Sequence, residues 1–422
     1  MRWLSIILAE ILLVGAVEAA GLPNAPPETV GMSSERLERL TSGMRMLVDQ
    51  GRLPGVVVAV AKDGKVVHFE AAGKRDVESG APMQRDSIFR IYSMTKPITA
   101  VAMLMLMEEG KWQLNDPVAR HIPEFANLKV AVVDGNTGSV KEVAPDHPMT
   151  MRELMTHSGG MTYGIFGSTA VDKMYTEVNV LDRAEPMQVM IDKLAKMPLL
   201  FQPGERWHYS VAADVEGYLV EKLSGMPLPV FLEQRIFKPL EMKDTAFYVP
   251  KEKLARFSTF YTYDKDRKLV IHPSDDYTSA PALSMGGSGL VSTASDYLRF
   301  CQMLLNGGEF GGRRLLSPLT VELMTKSMLP AATKSLEPGV GFGLGVAIVE
   351  DPVAAGGYHG KGTYSWGGAA GTWFWIDPVY HLIVVGMIQH RGEGAPDTGG
   401  LSRSWVYQAI TRSAEPTTRQ KP

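Results

Sequence analysis

Ser93 and Lys96 are the two residues of this chain whose types and spacing most directly suggest chemistry. They lie three positions apart, so in a helix that opens at Ser93 both side chains lie on one face, one turn apart. A serine hydroxyl becomes a good nucleophile when a neighbouring base takes its proton. A lysine can be that base when desolvation or a nearby positive field lowers its pKa. The pair therefore predicts a serine nucleophile activated by a lysine.

The segment around this pair must provide a helix N-terminus. An apolar run from Ile98 to Met107 follows the pair and predicts a buried helix. The start of such a helix supplies a positive field and free N–H groups where an oxyanion could form. Pro97 follows Lys96 and disfavours helical geometry there, so the helix must begin at or next to Ser93. Because Ser-x-x-Lys is a weak signal by itself, other segments must support it.

Tyr209 is the candidate for a second proton carrier. The proton removed from Ser93 must reach a leaving group, and a water must later be activated. A phenol beside a lysine ammonium has a depressed pKa and can shuttle that proton. Tyr209 precedes a predicted helix that starts at Ala212. The alternative for Tyr209 is a packing role in the core, with its hydroxyl hydrogen-bonded to a carbonyl. The adjacent His208 is predicted to be structural or to face the rim of the site.

A run of small residues from Trp366 to Gly371 is predicted to lie in a C-terminal sheet. Glycines in a strand let a ligand or another backbone approach closely. The edge of this strand could give one oxyanion N–H, with the N–H of Ser93 as the other. Close packing of the nucleophile helix on the sheet explains the same glycines, and both explanations can hold together.

With these three segments in view, the chain resembles the serine β-lactamase and penicillin-binding-protein superfamily. It is most similar to the family VIII carboxylesterases, which are themselves similar to class C β-lactamases. The resemblance covers about residues 30 to 410. The residues that carry it are Ser93-Met94-Thr95-Lys96, Tyr209-Ser210-Val211 and Trp366-Gly367-Gly368, with the typical phrases at 154–160 and 286–290.

The resemblance implies an α+β fold of the β-lactamase type, with the site between two domains. It implies an acyl-enzyme on Ser93, with Lys96 and Tyr209 as proton carriers. It also implies an oxyanion hole from the N–H groups of Ser93 and Ala369. No His-Glu-x-x-His occurs and the histidines show no ligand spacing, so neither a metal nor a cofactor is predicted.

Two departures from the β-lactamase pattern bear on the substrate. In those enzymes the second motif commonly ends in asparagine and the third starts with lysine, whereas this chain has Val211 and Trp366. Without that asparagine and that lysine, the site lacks two groups suited to a polar, anionic substrate. With Gly367 and Gly368, these residues are predicted to contact a small, neutral ester, which makes short-chain carboxylic esters the expected substrates. Weak β-lactam hydrolysis is compatible with the same machinery.

Other functions stay open at this point. Within the superfamily, a β-lactamase or a D-Ala-D-Ala carboxypeptidase is the main alternative. From another class, the chain could be a penicillin sensor or scaffold that acylates without turnover. A Ser-His-Asp hydrolase is disfavoured because no Gly-x-Ser-x-Gly occurs.

Composition limits the class of protein. The chain has 422 residues, which suggests two lobes, and its 45% apolar and 21% charged residues are ordinary for a globular protein. A net charge of −3 without a basic block argues against nucleic acid as a partner. The single Cys301 excludes an intrachain disulfide. The oligomeric state is not predicted.

The N-terminus predicts an export signal over residues 1–19. Arg2 is followed by an apolar stretch from Ile6 to Val17, and Val17-Glu18-Ala19 fits a cleavage site. The mature chain is therefore expected to be periplasmic or secreted. No other stretch reaches the ~20 apolar residues of a membrane span. Residues 413–422 are predicted to form a disordered polar tail.

Strand patterns occur near both ends of the chain. A hairpin is predicted from Gly55–Ala61 and Val66–Ala71, a strand from Phe342–Val349, and three further strands between 364 and 389. Residues 98–284 carry mostly helical patterns. The sequence therefore predicts one antiparallel sheet flanked by helices and built from both ends, with residues 30–97 and 285–412 as an α/β domain and 98–284 as an inserted helical domain.

Overall fold

The computed structural model describes residues 21–133, 140–329, 333 and 337–412. The predicted export signal, residues 1–19, and the predicted polar tail, residues 413–422, lie outside the described residues. Within the described part of the chain, no helix combines the length and the apolar character needed to cross a membrane.

One antiparallel sheet of eight strands organises the structure. In chain order its strands are β1 Gly55–Lys62, β2 Lys65–Asp76, β3 Ala81–Pro82, β4 Val340–Phe342, β5 Ala347–Val349, β6 Tyr364–Gly367, β7 Trp373–Asp377 and β8 Leu382–Ile388. Their order across the sheet is β4-β5-β6-β7-β8-β1-β2-β3. The N-terminal and C-terminal strands meet where β1 pairs with β8, with Val57 opposite Met387. The predicted sheet built from both chain ends is confirmed.

The first hairpin forms where the sequence places its turn. Asp63 and Gly64 join β1 to β2, and both have positive φ, 51° and 72°. This geometry matches the right-handed twist of a two-residue hairpin, and aspartate and glycine tolerate it best.

Eleven α-helices lie in the described part of the chain. They are α1 Ser34–Asp49, α2 Thr95–Glu108, α3 Met151–Met155, α4 Ala170–Glu177, α5 Met187–Leu194, α6 Ala212–Ser224, α7 Leu228–Leu232, α8 Lys238–Leu240, α9 Ala294–Leu305, α10 Pro318–Met324 and α11 Thr398–Tyr407. Ser33 caps α1 as its type predicts, since its side chain accepts from the N–H of Arg36.

The sheet separates two apolar layers. On one face α1 and α11 pack together over alternate residues of the strands, such as Val56 and Trp375. On the other face the intervening residues, such as Val57 and Phe374, join a larger core. That larger core contains α2, α6 and α9, so the predicted nucleophile helix lies between the sheet and the helical region.

The region from 98 to 284 is mainly helical but not purely so. It contains two short hairpins, Val130–Val133 with Val140–Val143 and Tyr261–Tyr263 with Leu269–Ile271. The proposed domain boundaries at 97 and 285 stay a prediction.

One local prediction differs from the structure. The expected strand Phe342–Val349 is two strands, β4 and β5, joined by a turn in which Gly345 has φ 82°. A Cβ on Gly345 would lie 2.8 Å from that of Ala100, so the turn packs directly on α2. Helix α3 ends at Met155, and His157 beyond it takes the left-handed conformation, with φ 55°.

Candidate active site

Ser93 lies in a single 3-10 turn, Tyr92–Met94, that leads into α2. Tyr92 has φ 41°, a conformation that costs a non-glycine residue about 1–3 kcal/mol and persists only where its surroundings hold it. The turn leaves Ser93 half-buried. Pro97 is the third residue of α2, where its missing N–H costs no intrahelical bond. Helix α2 begins at Thr95, two residues after Ser93, which is close to the predicted start at or next to Ser93.

Lys96 is 1% exposed and has three polar neighbours. Its Nζ lies 3.3 Å from the Oγ of Ser93, as the spacing predicts. It also donates to the hydroxyl of Tyr163 at 2.9 Å and to the carbonyl of Gly287 at 2.8 Å. A buried ammonium needs such partners, because an unpaired one is strongly unfavourable in the interior.

The neighbours of Lys96 close into a ring of hydrogen bonds. The Tyr163 hydroxyl donates to Oδ2 of Asp214 at 3.3 Å, and the N–H of Gly287 donates to Oδ1 of the same carboxyl at 2.9 Å. Asp214 lies near the start of α6 and is fully buried. Tyr163 and Gly287 therefore each face both Lys96 and Asp214.

This ring fixes where the lone pair of a neutral Lys96 amine would point. The carbonyl of Gly287 can only accept, so it takes one hydrogen of Lys96. The Tyr163 hydroxyl gives its own proton to Asp214, so it too must accept from Lys96. A neutral amine has two hydrogens, and both are then used. The remaining lone pair is directed at the third neighbour, the hydroxyl of Ser93, which is the arrangement a general base requires.

Glycines at 286 and 287 make room for this ring. A Cβ on Gly287 would lie 2.6 Å from Oδ2 of Asp214 and 2.8 Å from the Tyr163 hydroxyl. A Cβ on Gly286 would lie 2.4 Å from the carbonyl of Ala213 on α6. The segment can therefore approach α6 and Lys96 only because these positions lack side chains.

Burial sets the protonation of the groups around Lys96. It raises the pKa of Tyr163 well above the usual value, and the neighbouring Asp214 carboxyl adds to this, so Tyr163 stays a neutral phenol. Burial also raises the pKa of Asp214, while Lys96 opposes the rise. Burial raises the pKa of Glu216 on the same helix well above its usual value. A positive charge that develops on Lys96 would shift both carboxyls toward their ionised forms.

Tyr209 lies beside this ring without being part of it. The Nζ of Lys96 is 4.5 Å from the centroid of the Tyr209 ring. Among the described residues, the hydrogen bond of the Tyr209 hydroxyl is to Trp366, whose Nε1 donates to it at 3.2 Å. Since the hydroxyl accepts this bond, its own proton remains free for another acceptor. The structure thus brings the predicted Tyr209 and Trp366 together at the site.

An aromatic wall surrounds Tyr209. It consists of rings whose centroids lie within 6.0 Å of that of Tyr209: His157, Tyr163, Phe166, Trp207 and Trp366. Phe166 is 58% exposed and lies at the rim. Such a surface suits an apolar group of a substrate.

The two histidines near Tyr209 have different neighbours. Nδ1 of His157 lies 3.0 Å from the hydroxyl of Ser210, and burial lowers the pKa of His157 well below its usual value. Nε2 of His208 lies 3.1 Å from the hydroxyl of Thr162, in agreement with a structural role. Val211, predicted to contact substrate, is fully buried in the larger core.

The end of β6 reaches the nucleophile turn. Gly368 lies against it so closely that a Cβ there would be 2.3 Å from the carbonyl oxygen of Ile91. The N–H of Ala369 has no acceptor within the described residues, and the N–H of Ser93 lies in the first turn of its helix, where donors lack intrahelical partners. Both predicted oxyanion donors are therefore available at adjoining segments.

Tyr163 and Asp214 were missed in the sequence. Tyr163 follows Gly160 in an irregular segment, where spacing carries no signal. Asp214 and Glu216 did carry one, because they interrupt an otherwise apolar helix from Ala212 to Val220. A buried carboxyl needs a partner, and Lys96 was the available cation.

The chain matches a known family and several known proteins over most of its length. The family model described as β-lactamase matches residues 40–404. Protein Rv1367c of Mycobacterium tuberculosis is 37% identical over 389 residues, which cover 89% of this chain and 95% of the relative. Esterase EstB of Burkholderia gladioli is 29% identical over 378 residues, covering 84% of this chain and 91% of EstB.

A solved structure extends the likeness to three dimensions. It is that of EstCE1, described as a hydrolase with promiscuous acyltransferase activity. EstCE1 superposes with a TM-score of 0.77 and 28% identity over 90% of this chain and 99% of its own. The fold predicted from the sequence is confirmed by this match and by the sheet described above.

Proposed function

Because the chain belongs to the β-lactamase family, we propose that it is a serine hydrolase of short-chain carboxylic esters, of the family VIII type. The observation that carries the proposal is the orientation of Lys96. Its Nζ lies 3.3 Å from the Oγ of Ser93 and donates to Tyr163 and Gly287, so a neutral amine at this place would direct its lone pair at the Ser93 hydroxyl.

In acylation, Lys96 takes the proton of Ser93 while the Oγ attacks the acyl carbon of the ester. The developing oxyanion accepts from the N–H groups of Ser93 and Ala369. The new charge on Lys96 lies beside Asp214, which is linked to it through Tyr163. Tyr209, whose hydroxyl proton is not used by Trp366, passes a proton to the leaving alcohol.

In deacylation the same groups act in reverse. Water replaces the alcohol and gives one proton to Tyr209, which lost its own in acylation, while the water oxygen attacks the acyl carbon. The Oγ of Ser93 then leaves and takes back its proton from Lys96, and the carboxylic acid is released.

The aromatic wall supports the proposal that the substrate carries a neutral, apolar acyl or alcohol group. Trp366 stands where a β-lactamase commonly has lysine, and its ring lies 5.4 Å from both Tyr209 and Phe342. EstB and a lovastatin esterase of Penicillium rubens carry esterase names, which supports the same substrate class. Weak β-lactam hydrolysis belongs to the proposal as a side activity.

The alternatives make different kinetic predictions. A putative D-alanyl-D-alanine carboxypeptidase of Escherichia coli strain K12 is 28% identical to this chain. We expect the turnover rate of p-nitrophenyl butyrate to be well above that of nitrocefin. The reverse ranking would favour a β-lactamase or peptidase. A single burst without a steady state would favour a sensor.

Ser93→Ala should abolish ester hydrolysis with an unchanged circular dichroism spectrum, and substantial remaining activity would refute the assignment.

We also propose that residues 1–19 direct export, which would place the mature enzyme in the periplasm or outside the cell. The support is the sequence pattern alone. Fractionation of the native host with an antibody tests it, because retention of the full-length chain in the cytoplasm would contradict export.

A further inference from the structure

A second cavity lies on the sheet face opposite α2. Its volume is about 440 Å³, and it opens between the outer surface of β5 to β7 and the first half of α11. Ser365 and Gly367 form part of its floor, and Arg403 and Gly400 of α11 form part of its wall. This volume is in the range of small-molecule sites.

The cavity adjoins the candidate active site through strand β6, because Trp366 lines the cavity and also belongs to the aromatic wall around Tyr209. In β6 the side chain of Trp366 packs on Tyr209, on the active-site face. Successive side chains of a strand alternate between faces, so Ser365 and Gly367 face the cavity. A ligand in the cavity would therefore lie against the back of the strand that presents Trp366.

Arg403 is the cation of this cavity. No carboxylate among the described residues lies within ion-pair distance of the Arg403 guanidinium. Partial burial in the cavity wall lowers the pKa of Arg403. Its Nε is buried without a hydrogen-bond partner in the described chain, and its guanidinium carbon lies 5.6 Å from the ring of Trp375. A guanidinium in such a place offers a planar fork of donors to an incoming anion.

Two further buried side chains of the wall also lack partners. His359 is 8% exposed and Trp373 is 7% exposed, and both line the cavity. Nδ1 of His359 and Nε1 of Trp373 have no hydrogen-bond partner in the described part of the chain. Buried polar atoms are normally paired, so these atoms mark a place where a polar ligand would be stabilised.

The remaining charges lie at the exposed edge. Glu337 and Asp397 line the cavity and are both exposed, so water screens them. Oδ1 of Asp397 already accepts the N–H of Gly400 at 2.8 Å as the cap of α11. These carboxylates weaken the binding of an anion without cancelling the attraction of the Arg403 guanidinium, which is half-buried.

We propose that this cavity binds a small carboxylate with an apolar body. The carboxylate accepts from Arg403, and the body packs against Trp373 and the aliphatic residues Val340 and Val349. The acids released by ester hydrolysis belong to this chemical class, a link that rests on the proposed function. A released acid bound here would contact β6 from behind.

The test uses the full chain labelled with ¹⁵N in its tryptophans. The indole N–H signals of Trp373 and Trp207 report on the cavity and on the active site, since Trp207 packs on Tyr209 and does not line the cavity, and Trp373→Phe and Trp207→Phe assign them. Benzoate should shift the Trp373 signal to saturation. Arg403→Gln should weaken this binding about 10-fold or more, because a charged hydrogen-bond partner is lost. Glu337→Gln, at an exposed position, should strengthen it slightly.

Several results would overturn the proposal. They are an unmoved Trp373 signal, equal binding in Arg403→Gln, weaker binding in Glu337→Gln, or an equal response to inorganic phosphate. An unchanged signal of Trp207, which Arg403 does not contact, and unchanged hydrolysis of p-nitrophenyl butyrate establish that Arg403→Gln is folded. Because binding is read at Trp373, its failure is distinct from a failure of the esterase assignment, which would appear as absent hydrolysis.

Discussion

The two sides of the candidate active site are built on different principles. Lys96 forms a closed ring of directed hydrogen bonds with Tyr163, Asp214 and Gly287, and its amine has a single free direction. Around Trp366, aromatic rings pack through broad contacts, and one hydrogen bond links two of them. The first side is suited to moving protons and the second to accepting apolar groups of varied shape. We infer that chemistry depends on the Lys96 side and substrate choice on the Trp366 side.

The largest effect should come from the ring itself. Lys96→Ala removes the proposed base, and we expect kcat/KM for p-nitrophenyl butyrate to fall by about 1,000-fold or more. Lys62 provides a matched control, since it is also a buried lysine, 9% exposed, but lies in β1 and pairs with Asp63. Lys62→Ala should leave kcat/KM nearly unchanged. Equal losses in both variants would show that the effect is structural.

The two tyrosines sharpen the comparison. Tyr209→Phe should reduce kcat by about 100-fold, as expected when a proton carrier is lost. Tyr163→Phe should reduce it by about 10-fold, because Lys96 loses one of the acceptors that orient it but keeps Gly287. Steady-state kinetics of both variants measures the difference. A larger loss in Tyr163→Phe would move the role of proton carrier to Tyr163.

A single methyl group should disturb the ring. Gly287→Ala places a Cβ within 2.6 Å of Asp214 and 2.8 Å of Tyr163, so we expect kcat to fall by about 10-fold while KM changes little. The neighbouring Ser288→Ala serves as control, because its hydroxyl contacts only the sulfur of Met285 among the described residues. An unchanged kcat in Gly287→Ala would mean that the ring is not required.

Changes on the aromatic side should act on selectivity. Trp366→Lys introduces a cation where β-lactamases commonly have one, and we expect the ratio of nitrocefin to ester turnover to rise about 10-fold, as a charge-assisted bond to the β-lactam carboxylate would give. Trp366→Leu should lower ester kcat/KM a few-fold, mainly through KM, without that gain. If Trp366→Leu abolished kcat, the division between the two sides would be wrong.

The smallest effect concerns stability and pH. Burial lowers the pKa of His157 in the folded state, so the unfolded chain binds the proton more readily. The stability that neutral His157 contributes is present above its unfolded pKa of about 6.5 and is lost as pH falls below that value. We expect His157→Asn, which retains a side-chain group for Ser210, to reduce the slope of the unfolding midpoint against pH below 6.5. An unchanged slope would contradict a buried neutral imidazole.

The same contrast explains what the sequence could reveal. Ser93 and Lys96 were identifiable because a helix forces residues three apart together, and the Asp63-Gly64 hairpin because its turn needs those types. Tyr163 reaches Lys96 through tertiary packing of an irregular segment, which no local period encodes. Phe342–Val349 alternates like a strand, yet Gly345 bends it so that the turn can pack on α2.

The acyl-enzyme itself provides the most direct measurement of the central claim. The protein is mixed with p-nitrophenyl butyrate, quenched in acid during turnover and digested, and its peptides are analysed by mass spectrometry. A butyryl group on the peptide that contains Ser93, absent in Ser93→Ala, is the predicted result. Turnover with no butyryl group on that peptide, or with one at another residue, would contradict the assignment.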